Sequence, residues 1–320
     1  MPNFLKISIL FVFCTNNLLA QQLPIFTQYQ EMQGLINPAA VGSDYLLYRT
    51  NLSFGLSGRM QWIKSDAAPQ TQVVNGSYLY ENSGGISWLS QGFLMNDKVG
   101  RVSQKSISGS CAGIISGDLE SYGVAIGIGA SAVNYSLDLN NTIVRHQDDT
   151  WATTDQSFWY PDFSLGASFF KSIERGRNSD YFYTGISVPQ IFGLKPKYQA
   201  ADISHTFSRV QHIYANLGYI FAFDEESSVE ISTWAKYVPV KIFHQDFHIR
   251  GTYKGNYWAG AGVGTAGFVN AEIGFRMGEE QGMDNPIKIG YSFETPLFTS
   301  YNPISLGTSH EINLRISFKK

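Results

Sequence analysis

Several stretches of the sequence carry residue types that perform chemistry in other proteins. Gly127-Ile128-Gly129-Ala130-Ser131-Ala132 has the G-x-G-x-x-A spacing of a dinucleotide site. That chemistry needs a helix to begin at the glycines, so that its N-terminus meets the pyrophosphate. Here Val133-Asn134-Tyr135-Ser136-Leu137 keeps a two-residue rhythm instead, and glycines facing a crowded interior explain the pattern better. His244, Asp246, His248 and Arg250 share one face of an extended segment, with Phe243, Phe247 and Ile249 on the other. Two imidazoles and a carboxylate are metal ligands, yet i, i+2 side chains on a flat strand diverge and Arg250 opposes a cation. A polar lining is the simpler reading. Ser309-His310-Glu311 has the types of a hydrolase relay, but adjacent strand residues point to alternate faces and cannot converge. Arg59-Met60-Gln61-Trp62 reads as the polar–aromatic anchor of a loop just past the first strand, for example through an Arg–Trp stack. Asp148-Asp149, Glu225-Glu226 and Glu279-Glu280 read as solvated charge in connections. No catalytic set, cofactor site or metal site is expected, and the chain reads as a non-enzyme.

The elements that position these residues follow from composition. Only 15% of the 320 residues are charged while 43% are hydrophobic, where average soluble domains carry about a quarter charged residues. A net charge of −3 excludes a nucleic-acid binder that works by neutralising phosphates. The apolar content is ample to bury, which excludes intrinsic disorder. The chain opens with Lys6, the short apolar run Ile7 to Phe13 and Ala20 before Gln21, the pattern of a secretory signal peptide over residues 1–20. Phe13 before Cys14 excludes a lipoprotein site, and without Cys14 the remaining Cys111 has no disulfide partner. An exported chain of this size without disulfides is held by its own packing or by a membrane.

Beyond residue 48 the dominant signal is period-two alternation. Ile312, Leu314, Ile316 and Phe318 alternate with Glu311, Asn313, Arg315 and Ser317; Tyr122, Val124, Ile126 and Ile128 alternate with small residues. Strands are expected at 49–58, 70–80, 83–93, 104–116, 119–131, 159–171, 179–188, 208–223, 226–236, 242–253, 257–264, 267–276, 286–295 and 309–318. Most are longer than the five or six residues of an average soluble strand and match the roughly nine to eleven of a membrane strand. Fourteen is also an even number, as bacterial single-chain barrels require. Long connections near 59–69, 132–158, 189–207 and 296–308 fall on one side, and Glu81-Asn82, Gly117-Asp118 and Asp224-Glu225 make tight turns on the other. The fold expected is all-β, a transmembrane antiparallel barrel over 48–320 in the outer membrane of a Gram-negative cell, with both termini periplasmic. Residues 21–47 neither alternate nor run strongly apolar, and belong either in the lumen or in the periplasm.

Several segments, taken in order, resemble the PorP/SprF family of Bacteroidetes outer-membrane proteins. Pro24-Ile25-Phe26-Thr27-Gln28-Tyr29 and Asn37-Pro38-Ala39-Ala40-Val41-Gly42 are similar to the family's opening. Arg59-x-Gln61-Trp62, Asn96-Asp97-Lys98-Val99-Gly100, Pro161-Asp162-Phe163-Ser164-x-Gly166 and Ser309-His310-Glu311-Ile312 continue the match across residues 23–318. One departure is Phe293-Glu294-Thr295, where the family carries Y-D-x-T. The resemblance implies work with type IX secretion and gliding motility. Partners would be a secreted adhesin or other cargo, other secretion components such as the periplasmic ring lipoproteins, and outer-membrane lipid, with no nucleic acid. Asn37, Pro38, Gly42, Arg59, Gln61, Trp62, Asn96, Asp97, Gly100, Ser309, His310 and Glu311 are the motif residues through which partner contact is expected. An outer-membrane porin or hydrophobic-solute transporter is the alternative.

Overall fold

The structure, a computed structural model, describes residues 26–65, 67–82, 84–138, 156–193, 197–200, 203–206, 210–224, 226–239, 242–278, 283, 285–297 and 307–319. The expected signal peptide, Asp148-Asp149, Glu225 and Glu279-Glu280 lie outside these residues.

The wall begins with β1 (Leu52–Met60), β2 (Gln70–Tyr80), β3 (Ile86–Val99), β4 (Val102–Ile115) and β5 (Tyr122–Leu137). It continues with β6 (Gln156–Arg175) and β7 (Asn178–Pro189), which are followed by a separate hairpin of β8 (Lys197–Ala200) and β9 (Ile203–Thr206). Then come β10 (Ile213–Ala222), β11 (Ser228–Val238), β12 (Ile242–Tyr253) and β13 (Tyr257–Gly264). β14 (Phe268–Met277), β15 (Ile287–Pro296) and β16 (Ser309–Phe318) complete it. All but β8 and β9 form one closed antiparallel barrel of fourteen strands, each paired with its sequence neighbour, and β1 pairs with β16 to close the seam. In that seam Arg59 stands opposite Glu311 and Gly58 opposite Ile312.

Alternation decides which side chain meets which solvent. Ile126, Ile128, Ile273 and Ile312 point outward and are exposed, while their strand neighbours Ala125, Glu272 and Glu311 are buried inside. A contiguous exposed belt of aliphatic side chains around a closed barrel is the surface of a protein in lipid. Outward aromatics gather where strands end: Tyr80 opposite Trp88 and Tyr253 opposite Tyr257 at one rim, Tyr237 opposite Phe243 at the other. The first rim carries turns as tight as Gly176-Arg177; the second carries the long connections after β1, β5, β7 and β15. Among the described residues no helix is long and apolar enough to cross a membrane; the outward aliphatic belt lies on the strands.

Some boundaries differ from the sequence expectation. β3 runs on to Val99, β5 to Leu137, and β6 starts at Gln156. Strand pairing extends past the apolar band there, because a barrel wall standing clear of lipid needs hydrogen bonds and not apolar side chains. The connection after β7, expected as loop throughout, holds the hairpin β8–β9.

Candidate functional site

A barrel of eight strands fills its own interior with wall side chains, whereas one of sixteen or more encloses a water channel. Fourteen strands leave a lumen that the wall alone does not fill, and here residues 26–48 fill it. The segment forms a short 3-10 turn, η1 (Tyr29–Met32), running into α1 (Gln33–Ile36), and then α2 (Ser43–Tyr48). Met32 and Leu46 are almost wholly buried, and Tyr29, Tyr45 and Val41 are nearly so. Apolar contacts form two clusters. Phe26, Tyr29 and Met32 pack on Phe93, Met95, Tyr214 and Trp234, while Val41, Tyr45 and Leu46 pack on Leu79, Leu89 and Phe170.

Polar contacts then fix the segment at three places. The first is at the seam. Glu311, fully buried, accepts the backbone N–H of Thr27 at 2.7 Å and of Gln28 at 3.3 Å, and the side-chain amide of Asn313 at 3.0 Å. Arg59 reaches Glu311 at 3.3 Å, Glu294 at 2.9 Å and the Thr27 hydroxyl. One guanidinium therefore ties the first strand, the last two strands and the start of the segment together.

The second is an ionic cluster. Glu31 and Asp44 of the segment face Arg250, Lys288 and Arg315 of the wall, and Arg250 is shared with Glu272. In these ion pairs three carboxylates meet three cations, so each desolvated charge has an opposite one beside it. Burial works against the Glu31 charge, but Lys288, Arg315 and Arg250 outweigh it and hold the carboxyl well below the usual range. Burial likewise pushes the hydroxyl of Tyr29 up, as it donates or accepts against Ser232 at 2.7 Å.

The third is the turn at Asn37-Pro38. Its carbonyls are taken by wall side chains: Ser187 donates to Ile36 at 2.8 Å, Gln91 to Pro38 at 3.3 Å and Ser168 to Ala39 at 2.6 Å. Asn37 donates to the Ala167 carbonyl and accepts the Ala39 N–H. The wall approaches this closely because it is glycine there. A Cβ at Gly127 would lie 2.7 Å from the Pro38 oxygen, and one at Gly166 would lie 2.0 Å from Asn37 Oδ1. The G-x-G-x-x-A stretch is thus a landing surface in mid-strand.

Most of the twelve motif residues are brought to the segment or to the seam. Asn37, Pro38 and Gly42 belong to the segment itself, with the Gly42 carbonyl accepting the Tyr45 and Leu46 N–H groups of α2. Arg59 corrects an expectation. It lies within β1, pointing into the lumen and only 2% exposed, and does not anchor a loop by stacking on Trp62. Gln61 and Trp62 do begin the connection; Trp62 is exposed with φ of 53°. Asn96 and Asp97, expected in a loop, sit in β3: Asn96 bonds Gln72 on the outside and Asp97 accepts from Thr71 at 2.6 Å on the inside. Gly100 makes the tight turn, at φ of 58°. Ser309 and Glu311 face the lumen, and His310 faces outward against Tyr291. Of the strand-face cluster, Asp246 pairs with Lys236, His248 with Gln30 and Arg250 with Glu272 and Glu31. These three residues are engaged with different neighbours along the lumen face.

Sequence reasoning did not single out Glu31, Asp44, Lys288, Glu272 or Arg315. The usable signal was charge in the inward phase of strands whose other phase is aliphatic, as at Lys288, Glu294 and Arg315.

No curated protein sequence matches this chain. Among solved structures it is similar to a Pseudomonas aeruginosa FadL homologue, at 10% identity over 84% of this chain and 89% of that one, with a TM-score of 0.49. It is also similar to the translocator domain of the autotransporter NalP from Neisseria meningitidis, at 11% identity over 91% and 96% with a TM-score of 0.44. NanC porin matches at 9% identity over 84% and 100%, with a TM-score of 0.43. Likeness at this level speaks neither to substrate nor to partner. A family model described as type IX secretion system membrane protein PorP/SprF matches residues 18–316.

Proposed function

The chain belongs to the PorP/SprF family of type IX secretion system membrane proteins, and from that premise we propose that it is a closed outer-membrane scaffold supporting the export and surface attachment of a secreted adhesin or gliding-motility protein. In this reading residues 1–20 are a cleaved leader, both termini are periplasmic and the long connections face the cell exterior. The observation that carries it is the lumen filled by residues 26–48 and ion-paired to the wall. A barrel closed by its own chain offers partners its rims and its outer face, where an open one would offer a conduit. Long connections on one rim and tight turns on the other support an outward surface for cargo and a flat inner surface for other secretion components.

The test is deletion of the gene followed by comparison of the surface and secreted proteomes. Loss of one or more large surface proteins from the cell, restored by the intact gene, is expected. An unchanged surface and secreted proteome would sink the reading.

A further inference from the structure

We propose that the outer face of β1 to β6, at the rim with the long connections, binds a phosphorylated glycolipid of the surrounding membrane, its phosphate on Lys105 and its acyl chains on Val74, Leu94 and Ile107. From the scaffold reading this takes only that the long connections face the cell exterior, which makes the ligand a lipid of the outer leaflet.

A groove of about 490 Å³ lies across this face, between Leu56 of β1 and Trp159 of β6. That is room for a headgroup with the upper part of its chains, and far more than one ion needs. Register builds the groove in two rows. Leu56, Val74, Leu94 and Ile107 stand opposite one another on β1 to β4, each about half exposed. One step toward the long connections, Gln72, Asn96 and Lys105 form the next row, which Asn134 and Trp159 continue on β5 and β6. Val73 and Met95 also border the groove, but they are buried, with their side chains packed in the lumen. The polar row stands where lipid meets water. Lys105 and Ile115 are ten residues apart on β4, about 25 Å along the barrel axis at an ordinary strand tilt, the height of a membrane barrel's apolar band.

Charge complementarity selects the occupant. Among the described residues Lys105 is the one charged group bordering the groove; it is exposed and has no ion pair or hydrogen bond. Lys98, on the same face two residues beyond Asn96, adds a second exposed cation. Cations at this height attract anionic headgroups, and the aliphatic row beneath takes what a free anion lacks, an acyl chain. The amides favour a sugar over a plain phospholipid. Asn96 donates to the Gln72 carbonyl at 3.3 Å, which leaves the Gln72 N–H groups without a partner among the described residues and ready for sugar hydroxyls. Trp159 is 62% exposed and holds its ring at the headgroup level, where tryptophan is favoured. A lysine that only reached for water would need neither the amide row nor the groove beneath it.

The experiment is native mass spectrometry of the full chain in detergent micelles, titrated separately with bis-phosphorylated lipid A and with phosphatidylglycerol. The chain should retain a single lipid A, at about tenfold lower concentration than phosphatidylglycerol. Lys105→Gln should weaken that binding about tenfold and Lys105→Arg far less, because only the first loses the charge-assisted hydrogen bond to phosphate. Lys171→Gln, which removes an exposed lysine from the outer face at the opposite rim, should leave it unchanged. Both lysines are exposed, so the variants should fold, and circular dichroism checks that they do. Equal losses from Lys105→Gln and Lys171→Gln, or no loss from Lys105→Gln, overturn the proposal. Phosphatidylglycerol binding as tightly as lipid A also overturns it, in favour of any anionic lipid. The proteome comparison stands apart. If the deletion strips the surface while lipid A binding ignores Lys105, only this site is lost. If Lys105 holds lipid A while the surface is unchanged, the site stands and the scaffold reading falls.

Discussion

Glu311 is fully buried, and its charge is stabilised by Arg59, Asn313 and two backbone N–H groups of the segment. Removing one partner of a buried ion pair leaves an uncompensated charge, at about 3–5 kcal/mol. Arg59→Ala leaves Glu294 and Glu311 both without their cation, so a loss of about 3–5 kcal/mol in urea unfolding is expected. Arg59→Lys should recover little of it, because one ammonium does not fork between two carboxylates. An Arg59→Ala barrel within about 0.5 kcal/mol of the parent would refute that tie between seam and segment. Glu31 gives a pH dependence of known sign. Its carboxyl is held below the usual range, so its contribution is whole above the ordinary carboxylate pKa and declines as pH falls below it. The urea midpoint should therefore fall on going from neutral to acid pH, and Glu31→Gln should flatten that slope while lowering the neutral value. A slope untouched by Glu31→Gln would argue against the ionic docking. Little of this was legible in the sequence. Arg59 follows Gly58 at a strand end and looks like the start of a loop, and its partners Glu294 and Glu311 are 235 and 252 residues away. Periodicity says which face a residue takes and nothing of whom it meets there.

At the scale of elements the sequence was far more readable. All fourteen barrel strands are expected near where they form, because lipid imposes a strict two-residue rhythm on the outer face. Polar strand extensions such as Asn96-Asp97 escape that rhythm, and were expected as loop. The N-terminal segment escaped it too: its burial depends on glycines at 127, 166 and 185 that clear space for Asn37 and Pro38 from three different strands. Its removal provides the third prediction. In planar bilayers the intact chain should carry no steady current, and deletion of residues 26–48 should open one. An intact barrel conducting as well as its deletion variant would return the porin reading to the front. Filling the glycine landing acts in the same direction: Gly166→Val should displace the turn and give intermittent openings.

For the whole molecule, solvent is lipid on one side of a single-layered wall and protein on the other. Ile126 is 59% exposed on the outer face, between Ala125 and Gly127, which are buried inside. Ile126→Lys should cost about 2–4 kcal/mol if that face meets the hydrocarbon, measured by urea unfolding in bilayers. The same substitution within experimental error of the parent would place that face in water. The closing seam has a further consequence, for the order of assembly. Thr27 and Glu311 are 284 residues apart, and the carboxylate that receives the start of the segment sits on the last of the barrel's strands in chain order. Until β16 meets β1, the segment has only part of its anchorage, and the seam lacks the N–H groups that complete the Glu311 shell. Closing the wall and stopping the hole are therefore coupled. A half-inserted sheet is also an unstoppered one, and the cell is spared a leaking intermediate only if the final strand docks quickly.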